Sequence, residues 1–362
     1  MTRAIARQFA AARIALIMAV VAVVSVGHAV PASAHDHSIY VRPGESIQGA
    51  LDKADRGDRI IVKAGTYAEQ LTIRKDGIIL VGLGAILVPP ATLPGNDCSG
   101  LSGPGTQTGI CVIGKSVVLA PFEVEHRRFV SADRLVKDVS ITGFQVRGFS
   151  GENIAVVGAQ DARVADNRLA NGENYGFLTV GSNNTRVTGN TVDSSDRLRF
   201  IGICMNNEDG VRVSNNHITG YNVALCVQTH KAEVRNNEAN DNCIGVFVDP
   251  GIEGARIQGN RIGATNPLCS QNSAFGVYGI IVYGAENTQV QHNRIEGQTS
   301  AAGGVGILVA DDAATAAIAT GNVISKNNLR NNDIDLVRAS EKDGNVFFRN
   351  KCTSSDPVEL CS

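Results

Sequence analysis

One phrase recurs along this chain: an apolar residue, two further residues, Asn, one residue, and a second apolar residue. It stands as Val164-Ala-Asp-Asn167-Arg-Leu169, Val187-Thr-Gly-Asn190-Thr-Val192 and Val213-Ser-Asn-Asn216-His-Ile218. It returns as Val234-Arg-Asn-Asn237-Glu-Ala239, Ile257-Gln-Gly-Asn260-Arg-Ile262 and Val290-Gln-His-Asn293-Arg-Ile295, with weaker copies at Asn322 and Asn350. The first six Asn are separated by 23, 26, 21, 23 and 33 residues. A repeat of that size with drifting length specifies a stacked solenoid, in which each coil is one unit and insertions leave as loops. Buried at an inner turn, the Asn amides would bond from coil to coil, as ladders do in stacked sheets.

A second phrase precedes the Asn in each coil: Gly176-Phe-Leu-Thr, Gly202-Ile-Cys-Met, Ala224-Leu-Cys-Val, Gly245-Val-Phe-Val, Gly279-Ile-Ile-Val and Gly306-Ile-Leu-Val. Strand side chains alternate between faces, so the third residue of each phrase points outward. That outward column reads Leu178, Cys204, Cys226, Phe247, Ile281, Leu308; the next reads Val180, Asn206, Gln228, Asp249, Tyr283, Ala310. An apolar outward column calls for a cover, or else for a ligand. Two covers are available: the loops around Phe200 and Phe275, and the irregular stretch 88–135, rich in Pro and Gly, which breaks the repeat.

The chain begins with Arg3, Arg7 and Arg13, a run of apolar and small residues from Ile14 to Gly27, and Ala32-Ser33-Ala34, which together read as an export signal over 1–34. Residues 35–362 are then expected as one secreted, extracellular and soluble domain with no membrane span. Cleavage after Ala34 would expose His35-Asp36-His37, a nitrogen set of the kind Cu(II) takes in a plane. Downstream, Ser46 is a plausible N-cap, Ile47, Ala50, Leu51 and Ala54 share a helical face, and Gly57 ends the helix. Such a helix caps the first coil, whose open edge would otherwise pair with another chain.

Export makes the eight cysteines candidates for disulfides, and their spacing suggests Cys98–Cys111, Cys204–Cys226, Cys243–Cys269 and Cys352–Cys361. A formal charge of −2 with scattered Lys and Arg argues against a nucleic-acid partner. Ser46-Ile-Gln-Gly-Ala-Leu-Asp-Lys-Ala, Gly57-Asp-Arg-Ile-Ile-Val, Gly65-Thr-Tyr-Ala-Glu69 and Gly82-Leu-Gly84 resemble the opening of pectin-lyase-like proteins, and the Asn phrases resemble the parallel β-helix repeats of that superfamily, including its NosD-like group. The resemblance implies an all-β, right-handed parallel β-helix with the N-terminal helix as cap. It also implies lyases, hydrolases, esterases or C5-epimerases of acidic polysaccharides. Gly65-x-Tyr67-x-Glu69 is shared with pectin methylesterases, whose other motifs are absent; Asp249-Pro250 resembles the start of the mannuronan-epimerase signature, but Gly251 replaces its His.

The second outward column carries the chemistry expected here. His230 and Tyr283 would act as base and acid, Asp249 would orient them or hold a cation, and Lys231 or Arg199 would stabilise an enolate. Asn206, Gln228 and Phe247 would bind the sugar. The expected function is a lyase or C5-epimerase of uronic-acid polysaccharide, active as a monomer, with Ca²⁺ as the candidate cofactor. Two other readings stand beside it: a carbohydrate-binding surface module without turnover, and a small-molecule cyclase or isomerase, which a closed pocket would favour.

Overall fold

The computed structural model describes residues 37–270, 276–342 and 344–362. The export signal over 1–34, His35-Asp36 and the loop around Phe275 lie outside the described residues. Each Gly-x-x-x phrase gives one strand of an eleven-stranded parallel sheet. Each Asn phrase bends at its Asn, as between Arg163–Ala165 and Arg168–Ala170, and gives two strands of a 22-stranded parallel sheet. The two expected strands per coil are thus three, wound into a right-handed β-helix. The eleven-stranded sheet holds the Gly-x-x-x phrases in register: Leu178 pairs with Cys204, Cys204 with Cys226, Cys226 with Phe247, Phe247 with Ile281, and Ile281 with Leu308. Between these positions Phe177, Ile203, Leu225, Val246, Ile280, Ile307 and Leu336 point inward and are fully buried. Gly precedes five of them because space there is short: a Cβ on Gly279 would run into the Gly306 carbonyl and Ile295.

The Asn ladder runs unbroken from Asn167 through Asn190, Asn216, Asn237, Asn260, Asn293 and Asn327 to Asn350, each Nδ2 donating to the next Oδ1 at 3.0–3.1 Å. The residue before each rung is left-handed, as at Asp166, Gly189, Asn215, Asn236, Gly259, His292, Lys326 and Arg349. Asp, Asn and Gly adopt that turn most readily, which explains their frequency before the Asn. Asn322 is not on this ladder. It starts a second, shorter one, accepting from Thr288 N and donating to Ala285 O and Asn345 Oδ1. Asn322 stands at the register of Thr288, and the rung that matches Asn293 comes five residues later, at Asn327, just as Asn293 follows Thr288 by five.

The capping helix covers Ile47–Lys53, ending before Gly57, with Ser46 accepting from Gly49 N. The Lys75 ammonium donates to the Leu51, Asp52 and Ala54 carbonyls at its C-terminal end. Glu69 accepts from the Ile47 and Gln48 amides and the Ser46 hydroxyl. The Gly65-x-Tyr67-x-Glu69 motif is therefore spent on holding the cap, where a carboxylate meets free helix N–H groups.

The stretch 88–135 is two excursions, not one. Ile110–Ile113 is an ordinary strand of the eleven-stranded sheet, paired with Leu71–Ile73 and with Glu152–Val157. The first excursion, over 89–109, is tied down by Cys98–Cys111. The second, over 114–135, is a flap closed by the antiparallel pair Val118–Leu119 and Phe129–Ser131. Leu101, Val117, Leu119 and Phe129 join Phe200 over the outward apolar column, burying Leu178, Cys204 and Cys226. All four disulfides pair as spaced in the sequence. No helix among the described residues is long and apolar enough to cross a membrane.

Candidate functional site

The flap leaves part of the second outward column open beneath it. There Gln228 is the hub: its Nε2 donates to Asp249 Oδ2 at 2.7 Å and to Glu125 Oε2 at 2.8 Å, while its Oε1 accepts from Asn206 Nδ2 at 2.8 Å. The coil stacking supplies Asn206, Gln228 and Asp249 on successive rungs; the flap supplies Glu125. Carboxylate oxygens of Glu125 and Asp249 lie within 4.8 Å of each other. Glu125 holds a φ of 29°, a conformation a non-glycine residue occupies only when its surroundings enforce it.

This pair lines a cavity of about 490 Å³, with Phe247 and Tyr283 on one side and His126 and Arg128 on the flap side. The two aromatic rings sit 6.0 Å apart, tilted. A smaller recess of about 70 Å³ shares Glu125, Phe247 and Asp249 and reaches Phe200 and Cys226.

Burial first, and the Glu125 charge second, push the Asp249 carboxyl up to about 8 against the opposing pull of Gln228 and Arg128. His126 is 6 % exposed and pushed down to about 4, first by burial and then by Arg128, so it is neutral. Its Nδ1 meets the Tyr175 hydroxyl at 3.1 Å, and its Nε2 has no partner. A hydroxyl donated from Tyr175 to Nδ1 would leave Nε2–H as a buried donor on the cavity wall.

Of the residues singled out from the sequence, Asn206, Gln228, Phe247, Asp249 and Tyr283 gather around this cavity. His230, Lys231 and Arg199 do not. Thr229 is buried, accepting from Asn207 N and donating to Met205 O, and the chain turns away after it. His230 is exposed and its Nδ1 accepts from Glu253 N at 3.0 Å, while Lys231 is a left-handed turn residue on the outer surface. Arg199 is buried in ion pairs with Glu173 and Asp196. Tyr283 faces Asp312, which with burial raises its hydroxyl above the usual phenol range. Glu125, His126 and Arg128 were not legible, because the flap has no repeat from which to read a register. The one signal was the charged run Glu123-Val-Glu-His-Arg-Arg128, unusual in a stretch otherwise rich in Pro, Gly and apolar residues.

A family model described as periplasmic copper-binding protein (NosD) matches residues 125–268 and 201–359, and the chain belongs to this family. No curated protein matches it. Among solved structures, a Yersinia enterocolitica family 28 exopolygalacturonase is 14% identical, with a TM-score of 0.55 over 89% of this chain and 77% of that one. The A-module of the Azotobacter vinelandii mannuronan C-5 epimerase AlgE6 is 17% identical, with a TM-score of 0.51 over 85% and 94%. The complex of XylC with xylose is 11% identical, with a TM-score of 0.51 over 81% and 70%. At these identities the likeness is one of fold.

The donor set does not suit copper. Among the described residues one cluster of three metal-ligating groups forms, Glu125, Cys226 and Asp249, and Cys226 is bonded to Cys204. Met205 is buried in the solenoid core. Two hard carboxylates remain, without the imidazole or sulfur ligands copper prefers.

Proposed function

We propose that this NosD-family chain is a carbohydrate-active enzyme in which Asp249 and Glu125 perform acid–base chemistry on a sugar held under the flap. The observation that carries this reading is the carboxylate pair sharing one Gln228 amide beside an aromatic wall. Two like charges this close do not both ionise at neutral pH; one keeps its proton, and the raised value assigns it to Asp249. Asp249 then donates its proton to the leaving glycosidic oxygen as a Glu125 oxygen bonds to the anomeric carbon, and a water or acceptor hydroxyl, giving its proton to Asp249, later displaces Glu125. A separation within 4.8 Å is well short of the roughly 6.5–9.5 Å that inverting pairs keep to admit a water between them. It fits retention through a glycosyl intermediate on Glu125. Phe247 and Tyr283 offer an apolar wall to the C–H face of a sugar ring, and Asn206 holds the amide of Gln228 in its bridging orientation.

The fold neighbours support a carbohydrate ligand, since they include a polygalacturonase, a mannuronan epimerase and a xylose complex. The flap turns what would be an open groove into a pocket, so the ligand is a short glycoside or a chain end. A uronate lyase or epimerase is the second reading, favoured by Arg128, the one cation lining the cavity. It would need Arg128 to hold the enolate, because Lys231 and Arg199 stand elsewhere. Ca²⁺ between Glu125 and Asp249 would require the Gln228 amide to turn its oxygen toward the ion. The four disulfides fit an oxidising compartment outside the cytoplasm.

The test is product NMR in D₂O on the disulfide-intact protein with neutral aryl glycosides, disaccharides and uronic-acid oligomers. Glycoside cleavage or transfer with retention, lost in Asp249→Asn and Glu125→Gln but kept in His230→Ala, supports the first reading. Unsaturated ends or deuterium at C5 would favour the second. Turnover indifferent to both carboxylate variants, or no reaction across the panel, overturns the proposal.

A further inference from the structure

A second cavity, of about 460 Å³, lies at the other end of the same outward column. Ile73 pairs with Val112, so Arg74 runs alongside Ile113; Ile113 pairs with Val157, Val157 with Val180, and Val180 with Asn206. Gln228 and Asp249 continue the row. Ile113 and Asp249 are thus five rungs apart, roughly 24 Å at about 4.8 Å per rung. Between them Val157 and Val180 are fully buried, with Val117 and Phe129 of the flap against the neighbouring Gly158 and Phe129 against Gly181. The two cavities are therefore separate, one on each side of the flap's footing.

The second cavity has the opposite electrostatics. Its lining carries Arg74, Lys115 and Arg134 against a single carboxylate, Asp97. Arg74 meets Asp97 through Nε at 2.8 Å and through Nη2, and its Nη1 has no partner among the described residues. Arg134 uses Nη1 on Asp76 at 2.6 Å, and its Nε and Nη2 have none among them either. The Lys115 side chain is exposed and has no ion-pair partner among the described residues. None of these free donors is needed by the fold: Lys115 and Arg134 hold the flap's base through main-chain bonds, Lys115 N to Arg134 O at 2.8 Å and Asp133 N to Lys115 O at 3.0 Å. Asp97 and Asp76 neutralise Arg74 and Arg134, which leaves Lys115 as the cavity's uncompensated charge, and an anion would balance it.

We propose that this cavity is a binding site for an anionic group carried on a sugar, with Lys115 as its free cation and Arg74 and Arg134 offering their remaining N–H groups. A carboxylate or a phosphate satisfies the same donors, Arg through paired N–H groups and Lys as a point charge. The anion site does not depend on the reaction proposed for the carboxylate pair, since it concerns a different cavity of opposite charge; the sugar that carries the anion rests on that carbohydrate reading.

Isothermal titration and amide-shift mapping of the full disulfide-bonded protein test it, with glucuronate, glucose 6-phosphate, inorganic phosphate and glucose as probes. The expected result is binding of both charged sugars, with shifts centred on Lys115, Ser116 and Arg134, none with glucose, and weakening as salt is raised. Lys115→Gln should weaken the charged sugars roughly tenfold, the loss of about one charge-assisted contact, at unchanged melting temperature. Arg134→Gln serves as a second variant, with circular dichroism as its folding control. Inorganic phosphate bound as tightly as the charged sugars would overturn the sugar assignment and leave a simple anion site. No shift at these amides with any anion, or equal affinity in both folded variants, would overturn the site itself.

Discussion

Glu152→Gln should remove one component of the pH dependence of this protein's stability. Glu152 begins the strand Glu152–Val157 and is fully buried beneath the first excursion. Its Oε2 accepts from Thr108 Oγ1 at 2.6 Å, its Oε1 has no partner, and Tyr175 lies beside it on the next rung. Burial outweighs the hydrogen bonds from Ser102 and Thr108 and lifts the carboxyl from 4.5 to about 7. The folded state then keeps a proton that the unfolded chain has released. Stability is full below pH 4.5, falls as pH rises toward 7, and stays reduced above it. The lift of about 2.5 pH units corresponds to about 3 kcal/mol. Gln fills the same space, still accepts from Thr108, and cannot ionise. Urea or guanidinium midpoints of the oxidised protein from pH 4 to 8 are the assay. Wild type should lose stability across that range by up to about 3 kcal/mol more than the variant, with the two closest at pH 4. Parallel curves at every pH would refute the reasoning, because they would mean that Glu152 does not change its ionisation on folding.

Asn216→Ala should cost about 3–5 kcal/mol, read from the same denaturant midpoints. It removes four side-chain bonds, to Val187 O, Asn237 Oδ1, Asn190 N and Asn190 Nδ2, at a site 1% exposed. With any substrate the enzyme turns over, activity should decline as pH rises through about 8, where Asp249 gives up its proton; a profile with no limb near that value would contradict the acid role. Copper titration of the His37→Ala protein, followed by bound-metal analysis, should find no tight site, since the one cluster of three ligating groups among the described residues holds no imidazole and its sulfur is in a disulfide. One equivalent retained after dialysis would contradict that.

The fold was legible because its signals are periodic. The Asn and Gly-x-x-x phrases fixed both columns and their order, and the cysteine spacings located all four bridges. The ladder was misread once, at Asn322, which completes a similar phrase at an earlier turn of its coil, in register with Thr288 and not with Asn293. Half of the candidate site was legible for the same reason: Asn206, Gln228, Asp249 and Tyr283 fall where the register puts them. The other half comes from a flap with no period, and its footing over Val157 and Val180 depends on tertiary packing that no local pattern announces. His230 and Lys231 misled because proximity in sequence to Gln228 is not proximity in space once Thr229 turns the chain.

A crystal structure of the Asp249→Asn protein with a bound disaccharide, chosen from whichever glycosides the wild type cleaves, tests the central claim most directly. The sugar should lie under the flap against Phe247 and Tyr283, its glycosidic oxygen about 3 Å from the residue 249 side chain and its anomeric carbon facing Glu125. A sugar seated elsewhere on the solenoid while this cavity holds only solvent would contradict the account.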